Sequence, residues 1–299
     1  VMELKFLEIF CKVVEEKGFS KAASALFLTQ PTISSHIKAI EDEVGIQLLD
    51  RLGRTVIPTK AGEVLYKYAK EIVNTKNIAV QALNQFKGST KGSLIIGGST
   101  IPGEYILPQY IARFKKTRSQ VSVTLKIGDS QDIIDMLIDG DIEIGIVGSM
   151  PDNKRIEYKE FLKDELIPVA SSEYLKTIKK QIAIKDLKEL PFIIREYGSG
   201  SRKTLEEGLR KKGIDIDKLN IAAEFGSTEA VKQAIKNGMG ISFLSRFAVE
   251  DEIECGSLKE ITAASKGLSI ARHFYIITDK SRAASPICQT FINSLSTPL

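Results

Sequence analysis

Apolar residues at Leu4, Leu7, Phe10, Cys11 and Val14 recur three and four positions apart, which predicts one buried face of a helix, with Gly18 as its stop. The run SKAASALFL at 20–28 predicts a second, shorter helix. In it Ser20 stands where a cap belongs, Ala22, Ala23 and Ala25 permit close packing, and Leu26 and Leu28 supply core. A third helix begins at Thr29, a good cap, tolerates Pro31 in its first turn and carries the stripe Ile33, Ile37 and Ile40. Gln30, Thr32, Ser34, Ser35, His36 and Lys38 are left off that stripe. The segments 48–52 and 55–58 then read as two short strands with Gly53 and Arg54 at the hairpin tip.

From 61 to 86 there is no proline, Gly62 is the only glycine, and Leu65, Tyr68, Ile72, Ala79, Leu83 and Phe86 return to helical spacing. Such a helix is about 40 Å long, more than one small domain needs for itself. Its stripe predicts a partner, although packing on its own domain is the ordinary alternative. KGSTKGS at 87–93 breaks the pattern and predicts a hinge. Beyond it strands alternate with helices. LIIGGS, VSVTLKIGDS and IEIGIVGS read as strands around the helices EYILPQYIARFKKT and QDIIDMLIDG. PFIIREYGSGS, LNIAAEFGS, ISFLS and HFYIITDK repeat the alternation around RKTLEEGLRKKG, TEAVKQAIKNG and RFAVEDEI. This predicts a multidomain α/β chain with mainly parallel sheets. The expected domains are 1–60, a connecting helix and hinge at 61–90, and an α/β domain at 91–299.

Composition sharpens the picture in three places. With 299 residues, 43% of them hydrophobic, the chain can bury more than one core. Its net charge of +4 does not by itself point to nucleic acid, but the distribution does. No acid occurs from Lys17 to Lys38 or from Arg51 to Lys60, while basic residues occur in both windows. The three cysteines, Cys11, Cys255 and Cys288, are far apart, so neither a disulfide framework nor a metal-ligand spacing is expected. No apolar run approaches a membrane span, and VMELKFLEIFCKVVEEKG carries acids where a signal peptide needs an uncharged core. A soluble, cytoplasmic protein is expected.

Two short helices joined by a tight turn, the second presenting small polar side chains near its N-terminus, suit a helix-turn-helix. Small residues let the backbone sit deep in the major groove, Gln or Ser reaches base edges, and the helix N-terminus attracts phosphate. A solvated face of an ordinary helical domain fits the same helices equally well. The hairpin separates these readings, because a strand pair carrying Arg51 and Arg54 makes a basic wing suited to the DNA backbone or minor groove.

The run of Ala22, Ala23, Leu26, Thr29, Gln30, Pro31, Thr32, Ile33, Ser34 and Ile37, followed by Leu48, Arg51 and Arg54 and by Thr59, Ala61 and Gly62, resembles the DNA-binding domain of LysR-type transcriptional regulators. The resemblance implies an N-terminal winged helix-turn-helix. It puts Gln30, Pro31, Thr32, Ser34, Ser35 and His36 on the face entering the groove, with Ser20 and Lys38 beside it and Arg51 and Arg54 on the wing. It further implies that the connecting helix pairs two chains, through Leu65, Tyr68, Ile72, Ala79, Leu83 and Phe86, into a homodimer that assembles as a dimer of dimers. For 91–299 it implies a two-lobed effector-binding domain resembling a periplasmic binding protein, with lobe I at about 91–163 and 267–299 and lobe II at about 164–266. REYGSGSR and GSTEAVKQAIKNGMG resemble members governing sulfur, selenium or carbon assimilation.

Candidate effector residues stand at the carboxyl ends of four predicted strands: Ser99 and Thr100, Ser149, Ser199 with Ser201 and Arg202, and Thr228. Strand ends that feed helix N-termini collect free N–H groups and positive partial charge, so a small anionic metabolite is the expected ligand. Ordinary capping is the alternative use of each hydroxyl. GSTIPGEY lacks the Gly-Lys-Ser/Thr ending of a nucleotide loop, and no cofactor or metal is expected. An enzyme with an accessory DNA-binding head is the rival reading. With only two histidines, His36 and His273, and no nucleophile or metal motif around them, it is the weaker one.

Overall fold

The computed structural model describes residues 2–52, 55–86, 91–178, 184–261 and 268–296. They divide into two units, 1–91 and 92–299.

In the first unit α1 (Leu4–Glu16) buries Leu7, Phe10 and Val13 and ends on Lys17, whose left-handed backbone (φ 51) turns its N–H onto the Val13 and Val14 carbonyls. The stop is therefore Lys17. Gly18 is extended and precedes α2 (Phe19–Leu26). Ser20 consequently lies inside the first turn of α2, not at its cap as the sequence suggests. Helix α2 ends on Phe27, also left-handed at φ 54 and 95% exposed. Thr29 caps α3 (Gln30–Val44) by accepting the Thr32 N–H at 3.4 Å, with Pro31 in the first turn.

The hairpin pairs β1 (Leu49–Leu52) with β2 (Thr55–Pro58) antiparallel, Leu49 opposite Pro58 and Leu52 opposite Thr55. One Glu41 carboxylate oxygen accepts the N–H groups of Leu48 (2.8 Å) and Leu49 (3.2 Å), and the Val56 N–H reaches the Lys17 carbonyl at 3.0 Å. The wing is thus tied to the helices by backbone groups. Helix α4 (Lys60–Phe86) has 27 residues. It starts against the hairpin root so closely that a Cβ on Gly62 would lie 2.0 Å from the Leu48 carbonyl oxygen, which leaves glycine as the residue for that position. Ile9, Phe10, Ile33, Ile37, Ile40 and Val56 form the core, each buried side chain contributing about 1.5–3 kcal/mol.

In the second unit β3 (Gly92–Ser99), β4 (Val121–Gly128) and β5 (Ile144–Val147) pair in parallel. The chain turns helical at Thr100, passes through a π-helical stretch at Pro102–Ile106, and continues as α5 (Leu107–Thr117). Pro108 has no N–H to give to the turn before it, which accounts for the change of winding beside it. A Cβ on Gly98 would meet the Gly103 Cα at 2.7 Å, so this glycine lets the helix start press on the strand end. Helix α6 (Ser130–Asp139) connects β4 to β5.

A long strand, β6 (Ile156–Ser171), leads to the short helix α7 (Tyr174–Thr177). There follow β7 (Pro191–Arg195), α8 (Gly200–Lys211), β8 (Asn220–Phe225), α9 (Thr228–Lys236) and β9 (Ile241–Ser245). The chain closes with α10 (Arg246–Glu254), β10 (Leu258–Glu260), β11 (Ile270–Asp279) and α11 (Pro286–Leu295). The strand order is β4-β3-β5-β11-β6-β9-β7-β8, with β10 beside β6. The mainly parallel expectation holds at both ends, where β3 pairs with β4 and β5 and β7 pairs with β8 and β9. It fails in the middle, where β6 and β11 run antiparallel to each other and to their outer neighbours.

Those two strands carry the chain between two lobes. Leu94, Ile96, Phe114, Phe274 and Phe291 share one core; Leu166, Phe192, Leu205, Leu209 and Ile270 share another. The outward passage falls between Leu162 and Leu166 on β6, an interval that contains the expected boundary after residue 163, and the return falls between Ile270 and Phe274 on β11, a few residues later than the expected 267. At the passage Arg272 stands directly opposite Asp164.

Candidate functional site

On α3 the stripe Ile33, Ile37 and Ile40 is buried, so Pro31, Ser35 and Lys38 are turned to the opposite, exposed face. Gln30 is exposed at the start of the helix and accepts a hydrogen bond from Ser20 Oγ at 3.3 Å. This joins the start of α2 to the start of α3. Thr32 Oγ1 lies 2.8 Å from Thr29 Oγ1, and Ser34 is half-buried.

His36 departs from the groove-facing assignment. Its ring lies against that of Phe6 of α1, tilted by 33° at 4.6 Å between centroids, because its position on the helix turns it toward α1 beside the buried stripe. Arg51 is carried by β1. Arg54 lies outside the described residues, as do the side chains of Arg51 and Phe86. Along α4, Leu65 packs partly buried into the unit's own cores and so leaves the free stripe. Tyr68, Ile72, Ala79 and Leu83 stay exposed and are joined by Val64 and Val80. No helix among the described residues is long and apolar enough to cross a membrane.

In the second unit a cavity of about 280 Å³ is lined by Ser99, Thr100, Ser199 and Ser201, together with Arg195, Glu196, Asp129, Gly148, Arg272 and Phe274. Two helix N-termini open on it, the run beginning at Thr100 and α8. Ser199 sits at the cap position of α8 but makes no capping bond, and the hydroxyls of Ser99, Thr100 and Ser199 have no hydrogen-bond partner among the described residues. The third terminus is closed. The Asp129 carboxylate caps α6 by accepting the N–H groups of Gln131 (2.8 Å) and Asp132 (2.9 Å).

Three of the expected cleft residues are placed differently. Ser149 lies outside the cavity, since its neighbour Gly148 faces it instead. Thr228 stands one layer back, buried, and accepts the Arg195 guanidinium at 2.8 Å. Arg202 is turned away from the cavity. Its guanidinium donates to Glu206 (2.9 Å) and Glu224 (2.6 Å) and lines a separate hollow with Tyr197 and Arg210.

The cations at the cavity are Arg195 and Arg272. Arg195 donates twice to Glu196, at 2.7 Å each, and this guanidinium holds the Glu196 carboxyl below its ordinary range against the opposing effect of burial. Arg272 is 8% exposed. It donates through Nε to Asp164 at 2.7 Å and through Nη1 to Ser201 Oγ at 3.2 Å, while Ser245 satisfies the other Asp164 oxygen at 2.9 Å. Sequence reasoning missed Arg272, whose distinguishing feature is a cross-strand partner.

Residues 4–63 match the model of the bacterial regulatory helix-turn-helix protein, lysR family, and 87–297 match the LysR substrate binding domain. The HTH-type transcriptional activator CmpR of Synechocystis is 32% identical over 96% of this chain and 93% of the relative. A probable RuBisCO transcriptional regulator of Thalassiosira pseudonana is 32% identical over 98% and 96%. Among solved structures, CbnR, a LysR family transcriptional regulator, shares the fold at a TM-score of 0.69 and 19% identity over 98% of both chains. ArgP from Mycobacterium tuberculosis does so at 0.70 and 18% over 97% and 94%. Both halves of the chain therefore have the same kin, and it belongs to the LysR family of DNA-binding transcriptional regulators with an effector-binding domain.

Proposed function

We propose that this regulator works in the cytoplasm as a homo-oligomer, has no enzymatic activity or cofactor, and switches its DNA contacts when a small anionic metabolite occupies the cleft between the lobes. The observation that carries the reading is the cavity itself. Hydroxyls without partners and two open helix N-termini face one half-open cleft, an arrangement that favours negative charge. The relatives named as RuBisCO regulators support target genes in carbon assimilation. CbnR has been solved with its target DNA, which supports α3 and the wing as the DNA-reading parts. The exposed stripe Val64, Tyr68, Ile72, Val80 and Leu83 on α4 supports pairing of two copies.

A footprint on DNA upstream of the neighbouring gene, with and without fractionated cell extract, tests the switch. Thr100→Val keeps the side-chain shape and removes the hydroxyl, so this variant should bind the same DNA and respond poorly to the active fraction. A full response in Thr100→Val would move the effector away from this cleft.

A further inference from the structure

Arg272 is more than nine-tenths buried, yet its Nη2 group has no hydrogen-bond partner. The rest of the guanidinium is committed: Nε to Asp164, Nη1 to Ser201, and its face against the Phe274 ring at 4.9 Å. These contacts fix the plane of a cation at the cavity wall and leave part of its fork without an acceptor. A buried donor in that state gains strongly from an arriving oxygen, and the two-pronged edge of a guanidinium matches a carboxylate.

We propose that Arg272 anchors the effector and that the effector is a small monocarboxylate. The proposal rests on the reading of the cleft as the effector site and names the ligand class that site takes. The charges decide between carboxylate and phosphate. Arg195 is matched by Glu196 and Arg272 by Asp164, while Asp129, the remaining charged group at the cavity, is an anion held by its own helix. The cleft therefore offers dipoles and a fork of donors but no surplus positive charge. A phosphate group carries about −1.5 to −2 at neutral pH and would bring uncompensated charge into the cleft. A single negative charge is met by the partial positive charges of the helix ends at Thr100 and Gly200, while Arg272 supplies donors rather than surplus charge. Ile101, Pro102 and Phe274 supply an apolar wall for a short carbon chain.

The position also gives the ligand a lever. Arg272 and Asp164 face each other where β6 and β11 pass between the lobes, and Ser201 brings in the second lobe while Thr100 belongs to the first. A carboxylate spanning Arg272 and Thr100 binds better when both lobes are in reach, which is the differential affinity a switch requires.

The test is thermal unfolding of the full chain at constant ionic strength in graded acetate, propionate, malonate or acetamide. Acetate or propionate should raise the midpoint saturably. Acetamide, the neutral isostere, should not, and doubly charged malonate should bind at least about tenfold more weakly. Arg272→Lys keeps the charge and loses the fork, so acetate affinity should fall about tenfold, whereas Arg202→Gln should leave it unchanged. If Arg272→Lys fails to fold, the pair Arg272→Met with Asp164→Leu leaves no buried charge without a partner and should lose the acetate response. No saturable shift with either monocarboxylate, equal binding of acetamide, tighter binding of malonate, or an unaltered response in the Arg272 variants would overturn the proposal. The footprint separates its failure from that of the cleft reading: Thr100→Val still loses the extract response if only the ligand class is wrong, and keeps it if the cleft is wrong.

Discussion

Helices α3 and α8 both begin among hydroxyl side chains, and their surroundings give those hydroxyls opposite work. At α3 Thr29 closes its own helix by accepting the Thr32 N–H, and the neighbouring Gln30, Pro31 and Ser35 stand on an open surface. At α8 Ser199 is buried, caps nothing, and faces a cavity beside Arg272. A satisfied terminus on a flat face suits a partner as large as a duplex, which supplies its own donors and acceptors. An unsatisfied terminus in a half-open cleft suits a small ion. Burial and capping, rather than residue type, divide the two roles.

The contrast breaks most severely at the cation of the cleft. Asp164→Ala should leave the Arg272 guanidinium buried and unpaired and cost about 3–5 kcal/mol of stability, read by urea unfolding followed by circular dichroism. Hydrogen exchange should locate the loss in the second unit. A loss below about 1 kcal/mol would mean that the pair does not hold the lobes. Next in size is the free stripe of α4. Leu83, 63% exposed, should accept a charge without unfolding its unit, so Leu83→Glu should weaken self-association by on the order of 3 kcal/mol while circular dichroism stays unchanged. A wild-type chain that sediments as a monomer at micromolar concentration would remove α4 from the assembly.

On the open face, Gln30→Ala should lose roughly 1–3 kcal/mol on the cognate site only. Lys38→Ala should weaken all sequences and reduce the salt slope by about one. Equal losses for Gln30→Ala on cognate and random DNA would take Gln30 out of the base-reading set.

Local periodicity made the first unit readable. Ile33, Ile37 and Ile40 repeat within one helix, so the stripe and the face opposite it follow from the sequence alone. His36 escaped because its neighbour Phe6 lies thirty positions back, in another helix. In the second unit the serines at strand ends were legible because the ends of parallel strands converge. Arg272 was not, since the Asp164 that fixes its role is 108 positions away and meets it only through the register of β6 and β11. Arg202 drew attention by its place after GSGS. Its partner Glu206, four residues on along α8, was in plain view and gave the reason to discount it. Strand β6 was missed because its first half is mostly exposed and charged, with little of the apolar signature of a core strand.

The finest difference lies between the two arginines of the cleft. Arg195 is paired with Glu196, whose side chain is 36% exposed, and the guanidinium holds that carboxyl below its ordinary range. A carboxyl depressed on folding contributes stability above its unfolded pKa and loses it as pH falls through the lower folded value, so the window opens below about pH 5. Solvent screening at such exposure keeps the contribution under about 1 kcal/mol. Glu196→Gln should therefore lower the urea midpoint slightly at pH 7, and the difference should shrink as pH falls through the depressed folded-state value. Parallel curves for the two proteins from pH 7 to 3 would show that the Arg195 bonds to Glu196 do not depend on the carboxylate charge. The cleft's outer cation would then be as insensitive to acid as a neutral hydrogen bond.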